Sequence, residues 1–229
     1  MDTLFFTDEH VMLQDMVRDF ADNEITPVAR ELDATGEFPK NLVHQMAELG
    51  LMGIPIPESL GGAGMDTVAY AATVMELARA DASVAITMAA HTSLGTMPIV
   101  IAGSEEQKKK FVPPLASGEM IGAFGLTEPD AGSDAGATKT TAIKKGDEYI
   151  LNGGKIFITN VGEAGILNLT ARVFEGDEDK GIGAFIIETN TPGLIINPKE
   201  KKMGWCASDT RQIFRSEEHT SELQSRAYL

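Results

Sequence analysis

The chain has 229 residues, 43% hydrophobic and 23% charged, enough for one large domain or two small ones with a substantial core. A formal net charge of −15 argues against a surface for nucleic acid or anionic membrane, but leaves room for an anionic small ligand held by a local N–H-rich spot. The single cysteine, Cys206, has no internal disulfide partner and fits a reducing compartment. The start, MDTLFFTDEH, has neither the basic and apolar regions of a secretory signal nor the arginines of a transit peptide, so a bacterial-type cytoplasm is expected. No uninterrupted apolar run reads as a membrane span.

From Thr7 to about Ala29, Val11, Met12, Met16, Val17, Phe20 and Ile25 recur at threes and fours, predicting a helix capped by Thr7 with Asp8 and Glu9 in its first turn. Pro39 opens a second helix with Leu42, Val43, Met46 and Leu49 on its buried face, stopped by Gly50. Gly53 to Gly64 reads as a loop. Asp66 caps a third helix through Arg79, and Asp81 starts an Ala-rich apolar segment through about Thr96. Ser104-Glu-Glu-Gln107 is a capping box ahead of Lys108 to Leu115.

After Met120 the period shortens. Ile121 to Leu126 suits a buried strand, and Thr127 to Gly136 (TEPDAGSDAG) abruptly becomes a loop of glycine, hydroxyl and acid. Exposed N–H groups and short hydroxyls of this kind grip a heterocycle edge or a pyrophosphate, although such turns also serve merely to reverse the chain. Segments 140–144, 148–152, 155–159, 167–173, 183–188 and 194–199 read as strands. Lys145-Gly-Asp147 and Gly153-Gly154 read as hairpin turns, and the acidic run Glu175 to Lys180 as a solvated loop. The fold class expected is α+β, all-helical and then mostly antiparallel β. The histidines His10, His44, His91 and His219 lack metal-ligand spacing, and no G-x-S-x-G elbow, P-loop or complete dinucleotide fingerprint is present.

Three ordered blocks carry a resemblance. They are Phe124-Gly-Leu-Thr-Glu-Pro-Asp-Ala-Gly-Ser-Asp134, Leu151-Asn-Gly-Gly-Lys-Ile-Phe-Ile-Thr-Asn160, and Lys202-Met-Gly204 followed by Ser208-Asp-Thr-Arg211. From about Phe6 to Phe214 the sequence resembles the acyl-CoA dehydrogenase flavoproteins, nearest to the short-chain, butyryl-type branch. The resemblance divides the chain into an amino-terminal helical domain (1–118), an incomplete middle β domain (119–214) and a tail (215–229). The tail resembles an in-frame translation of a sequencing-library adapter, whose eleven codons give Arg215 to Ser225.

The resemblance implies FAD-dependent oxidation of an acyl-CoA to its trans-2-enoyl-CoA. A carboxylate removes the Cα proton while the Cβ hydrogen leaves as hydride to the flavin. It implies that Phe124, Leu126 and Thr127 line the flavin ring, that Gly132 and Ser133 approach the pyrophosphate, and that Ser133 also touches the CoA portion. Phe157, Ile158 and Thr159 would pack at the isoalloxazine, Phe157 standing where many relatives have Trp. Without the resemblance, Phe124, Leu126 and Phe157 read as core residues, and Thr127 and Thr159 are also ordinary strand residues.

Glu128 sits in the motif but matches no catalytic position, and is expected to anchor its loop. The catalytic base is implied to be a glutamate of a carboxy-terminal helical domain beyond this sequence, so no catalytic residue and no metal ligand is assigned within it. Trp205 is expected to pack rather than touch substrate, and Arg211 to pair with an acid or a phosphate. Implied partners are the acyl-CoA, an electron-transferring flavoprotein and further copies in a homotetramer. Acyl-CoA oxidases and flavin monooxygenases of the same superfamily are the enzyme alternatives. The other is a non-catalytic FAD- or CoA-binding fragment, flavin-poor and prone to aggregate through its unfinished sheet.

Overall fold

A computed structural model describes residues 6–214 and 223–225. Helix α1 (Asp8–Phe20) opens on a reciprocal cap. The Thr7 hydroxyl accepts from the His10 amide, and His10 Nδ1 accepts from the Thr7 N–H at 3.0 Å. A π turn (Ala21–Ile25) carries α1 into α2 (Thr26–Thr35). The helical path therefore outlasts the predicted end near Ala29. Pro27 does not break it, because it falls in the first turn of α2, and Gly36 ends it at φ 69°.

Helix α3 (Lys40–Glu48) buries Leu42, Val43 and Met46. Leu49, expected on that face, lies just past the helix and is 41% exposed. Asp66 and Asp81 cap α4 (Thr67–Ala80) and α5 (Ala82–Ala90) through their side chains. A second π turn (His91–Thr96) joins α5 to α6 (Met97–Ala102), and the predicted capping box opens α7 (Glu105–Ala116).

The helical run Ala82–Ala102, though interrupted by His91, Thr92 and Ser93, is long and apolar enough to cross a membrane by length and composition. In this fold more than half of it is buried in protein, and Thr87, His91, Thr92 and Thr96 along it are all buried with hydrogen-bond partners. It is a core helix.

Strand β1 (Gly122–Gly125) begins the second half. It is followed by β2 (Thr141–Lys145), β3 (Glu148–Asn152), β4 (Gly154–Thr159), β5 (Ile166–Glu175), β6 (Glu178–Glu188), β7 (Ile195–Ile196), β8 (Thr210–Phe214) and β9 (Leu223–Ser225). In the larger sheet β6 runs antiparallel along one edge of β5, while β1 and then β2 lie parallel along the other. β3 continues from β2 as the predicted hairpin, with Gly146 at φ 64°. The smaller sheet is β4-β8-β7, all antiparallel. Among the described residues five of the seven pairings are antiparallel, so the expected fold class is borne out.

Three expectations need correction. Gly153-Gly154 is no hairpin turn, because β3 and β4 belong to different sheets, and Gly153 at φ 144° instead passes the chain between them. The acidic run is the tip of the β5–β6 hairpin, only Gly176 and Asp177 falling between the strands. The strand expected over 194–199 shrinks to Ile195–Ile196. The tail expected to be non-native, residues 215–229, lies outside the described residues except for 223–225, whose backbone pairs antiparallel with β3.

One apolar core fills the helical half around Val17, Ile25, Met46, Leu77 and Met88, and another packs the two sheets through Leu151, Ile158, Leu167, Phe185 and Ile213. A third stitches the halves together, with Ile99, Phe111, Val112 and Leu115 against Ile166 and Ile186.

Candidate functional site

The motif loop is built around two buried charges. Lys155 on β4 is fully buried and Glu128 is 5% exposed, and Lys155 Nζ lies 2.6 Å from Glu128 Oε1. The ammonium also donates to the Leu126 carbonyl at 2.9 Å, the Thr138 hydroxyl at 2.8 Å and the Thr170 hydroxyl at 3.3 Å. Glu128 accepts in addition from the Thr138 hydroxyl and from the main-chain N–H groups of Lys139 (2.7 Å) and Thr140 (3.0 Å). Burial alone raises a carboxyl pKa, but the hydrogen bonds from Lys155, Thr138, Thr140 and Lys139 outweigh it and bring Glu128 down to about 2. Glu128 is thus an ionised, saturated anchor of the loop, as the sequence reading expected.

This knot brings the two halves of the predicted site together. The Ile156 N–H donates to the Thr127 carbonyl at 2.8 Å, laying β4 beside the residues that leave β1. Next to it β4 carries a bulge between Lys155 and Ile158, where Phe157 takes φ 57°. A left-handed aromatic residue costs about 1–2 kcal/mol, and its side chain is 64% exposed, so it is no core residue. Leu126 is 37% exposed, while Phe124, Thr127 and Thr159 are half-buried. Ile158 points into the core between the sheets and is 1% exposed, leaving only its main chain to meet a ligand. Gly132 and Ser133 are exposed, and a Cβ on Gly132 would lie 3.8 Å from the Thr127 methyl.

The start of β1 is held differently. His91, fully buried in the π turn, accepts from the Gly122 N–H through Nδ1 at 2.9 Å and donates from Nε2 to the Leu115 carbonyl at 3.0 Å. Burial outweighs the carbonyls of Leu115 and Met52 and lowers its pKa to about 4, so the ring is neutral. Beside it Gly95 and Gly122 meet backbone to backbone, and a Cβ on Gly95 would lie 2.5 Å from Gly122. Asn168 donates to the Leu94 and Gly95 carbonyls, and Asn160 to that of Thr87, completing the seam between helices and sheets.

The remaining candidates resolve more simply. Arg211 pairs with buried Asp209 at 2.7 Å, which also accepts from the Gly162 N–H. Trp205, expected to pack, is 56% exposed at φ 55°, beside fully exposed Met203. His10 bonds Asp66 at 2.9 Å, His44 faces Glu48 on the surface, and His219 lies outside the described residues. Sequence reasoning quoted Lys155 without assigning it a role. Its signal was a lone lysine in an apolar strand, which must find a buried partner.

The comparisons with known proteins extend over most of the chain. The acyl-CoA dehydrogenase N-terminal domain matches residues 7–119 and the acyl-CoA dehydrogenase middle domain residues 123–216. An acyl-CoA dehydrogenase of Bacillus subtilis is 51% identical over 207 residues, 90% of this chain and 55% of that protein. The butyryl-CoA dehydrogenase of Megasphaera elsdenii superposes with a TM-score of 0.88 at 40% identity, over 98% of this chain and 58% of that one. The FAD complex of an acyl-CoA dehydrogenase from Bacillus anthracis gives 0.87 at 38% identity, over 98% of this chain and 38% of that one. The chain spans about half the length of the curated relatives it matches. With both domain matches falling on the helical and β halves in the observed order, the chain belongs to the acyl-CoA dehydrogenase family.

Proposed function

We propose that these residues form the helical and β parts of an FAD-dependent enzyme that oxidises an acyl-CoA thioester to the trans-2-enoyl-CoA. The observation that carries the reading is the pairing of Leu126-Thr127 with the bulge at Phe157. An apolar surface adjoins a main-chain donor there, as a flat heterocycle with a polar edge requires. The Thr127 N–H has no acceptor among the described residues, and an aromatic side chain is held outward at a backbone cost. These features fit an isoalloxazine ring, whose chemistry when bound is to accept the substrate hydride.

On this reading Phe124, Leu126 and Phe157 contribute apolar contact. Thr127, Thr159 and the main chain at Ile158 meet the polar edge, and Gly132 and Ser133 leave the loop open for a pyrophosphate, Ser133 also reaching the CoA portion. Glu128 takes no proton from substrate, since its charge is committed to Lys155 and three other donors. The base is proposed to be a glutamate of the family's carboxy-terminal helical domain. Residues 1–229 alone are then proposed to bind flavin weakly without turnover, while the intact protein forms a cytoplasmic homotetramer that passes electrons to an electron-transferring flavoprotein.

The test is anaerobic titration of the flavin-loaded, full-length protein with butyryl-CoA. Bleaching of the flavin band together with formation of the enoyl-CoA is expected. A loaded protein that stays yellow with every acyl-CoA tried rules the dehydrogenase reading out, and peroxide or an oxygenated product would favour the oxidase or monooxygenase alternatives.

A further inference from the structure

We infer that Lys155 is a positioning residue, which aims the Thr127 amide at the ligand by holding the Leu126 carbonyl inward. The inference rests on the proposed flavin site and adds to it the group that sets its main-chain donor.

The geometry follows from a single peptide plane. No cis peptide is present among the described residues, so the Leu126 C=O and the Thr127 N–H point in opposite directions. The Leu126 carbonyl is turned toward the buried Lys155 ammonium, 2.9 Å away. The Thr127 N–H is therefore turned away from the buried knot. The next plane is fixed as well, because the Thr127 carbonyl accepts from Ile156 at 2.8 Å and the Glu128 N–H donates to the Ala131 carbonyl at 2.7 Å. Of the amides that leave β1 through this turn, Thr127 has its carbonyl neighbours on both sides pinned and its own N–H unspent. A donor locked in this way loses little orientational freedom on binding, which is how a preorganised hydrogen bond gains strength.

A plain structural account of the same ion pair also exists, in which Lys155 serves only to neutralise Glu128. The two accounts differ at the Leu126 carbonyl. Lys155 has four acceptors, and only one of them belongs to the peptide that orients Thr127. Thr138→Val removes an acceptor and a donor from the knot but leaves the Leu126 bond in place. Lys155→Met with Glu128→Gln removes the Leu126 bond and both charges together, so no buried charge is stranded.

The experiment uses the full-length protein, stripped of flavin and titrated with FAD, with thermal melts of the flavin-free forms alongside. The double variant is expected to melt cooperatively yet bind FAD about tenfold more weakly, the worth of one well-aligned hydrogen bond. Its bound flavin should also have a lower midpoint potential, because a donor to the reduced ring is misaimed. Thr138→Val is expected to lower the melting temperature while leaving affinity within about twofold and the potential unchanged. A folded double variant with wild-type affinity and potential overturns the inference, as does a Thr138→Val protein whose flavin properties fall in step with its stability. If the double variant fails to fold, Glu128→Gln alone, which keeps the Leu126 bond, is titrated with FAD beside wild type, and a loss of about tenfold in affinity there overturns the inference. A folded wild-type protein that takes up no FAD removes the flavin reading itself, an outcome distinct from all of these.

Discussion

The two ends of β1 are held by buried polar groups of opposite character. At Gly122 the holding group is the neutral imidazole of His91, packed where two glycine backbones touch. At Leu126 it is a lysine ammonium, fully buried and paired with an ionised glutamate. A neutral ring serves between rigid backbones because it donates once and accepts once and needs no counter-charge. A loop without regular structure has no ladder to satisfy its main chain, and a carboxylate with an ammonium can gather many donors and acceptors at once. The first end joins the two halves of the molecule. The second shapes the surface on which the proposed ligand lies.

The difference predicts unequal tolerance to substitution. Lys155→Met alone leaves the Glu128 charge buried with only a hydroxyl and two amides, and is expected to destabilise the fold by about 3–5 kcal/mol in chemical denaturation. Buried Glu76 in α4 offers the internal control. It is also 5% exposed, but it is served by Gln14, Arg18 and Arg79, whose two guanidinium groups reach water. Arg18→Met is expected to cost clearly less, since Arg79 remains. Equal losses at the two sites would mean that burial of the cation does not matter here.

Acid should loosen the two ends in sequence. The folded His91 pKa, about 4, lies below the unfolded value of about 6.5. Its contribution is complete above pH 6.5 and is lost as pH falls toward 4, about 3 kcal/mol in all. Glu128, held near 2 against an unfolded value of about 4.3, keeps its contribution above that value and loses it as pH falls through 2. Stability followed by denaturant midpoint from pH 7.5 to 3 should therefore drop first between 6.5 and 4. His91→Gln, whose amide can donate and accept without charging, should flatten that upper step while leaving the lower one. An unchanged upper step in the variant would assign it to another group.

The glycine contact at the first end is steric rather than electrostatic. Gly95→Ala places a methyl 2.5 Å from the Gly122 backbone, where no flexible side chain can yield. A loss of about 1–3 kcal/mol is expected, with a lower melting temperature and no change in the pH profile. A neutral result would mean that the seam opens without cost.

The fold was largely legible because its signals are local. The caps at Thr7, Asp66, Asp81 and Ser104 and the turn at Gly146 stand where composition placed them. The errors arose where a local pattern has two long-range outcomes. Gly153-Gly154 serves a change of sheet as well as it serves a hairpin, and Pro27 breaks or begins a helix according to its place in the turn. At the candidate site the motif residues were visible, but their support was not. Nothing next to Lys155 in sequence reveals Glu128, 27 positions away, and His91 gives no sign of Gly122, 31 away. Buried polar pairs of this kind are decided by topology.

The smallest expected effect on stability is at the residue most exposed to the proposed ligand. Phe157 is 64% exposed and sits at φ 57°, so its ring contributes little to the core while its backbone bears strain. Phe157→Ala should leave the flavin-free protein within about 0.5 kcal/mol of wild type. Phe157→Gly should stabilise it slightly, by relieving the left-handed backbone. Both should weaken FAD binding if the ring forms part of the proposed flavin surface. A large loss of stability in Phe157→Ala would show that the ring packs against protein, and would move it from the flavin surface to the core.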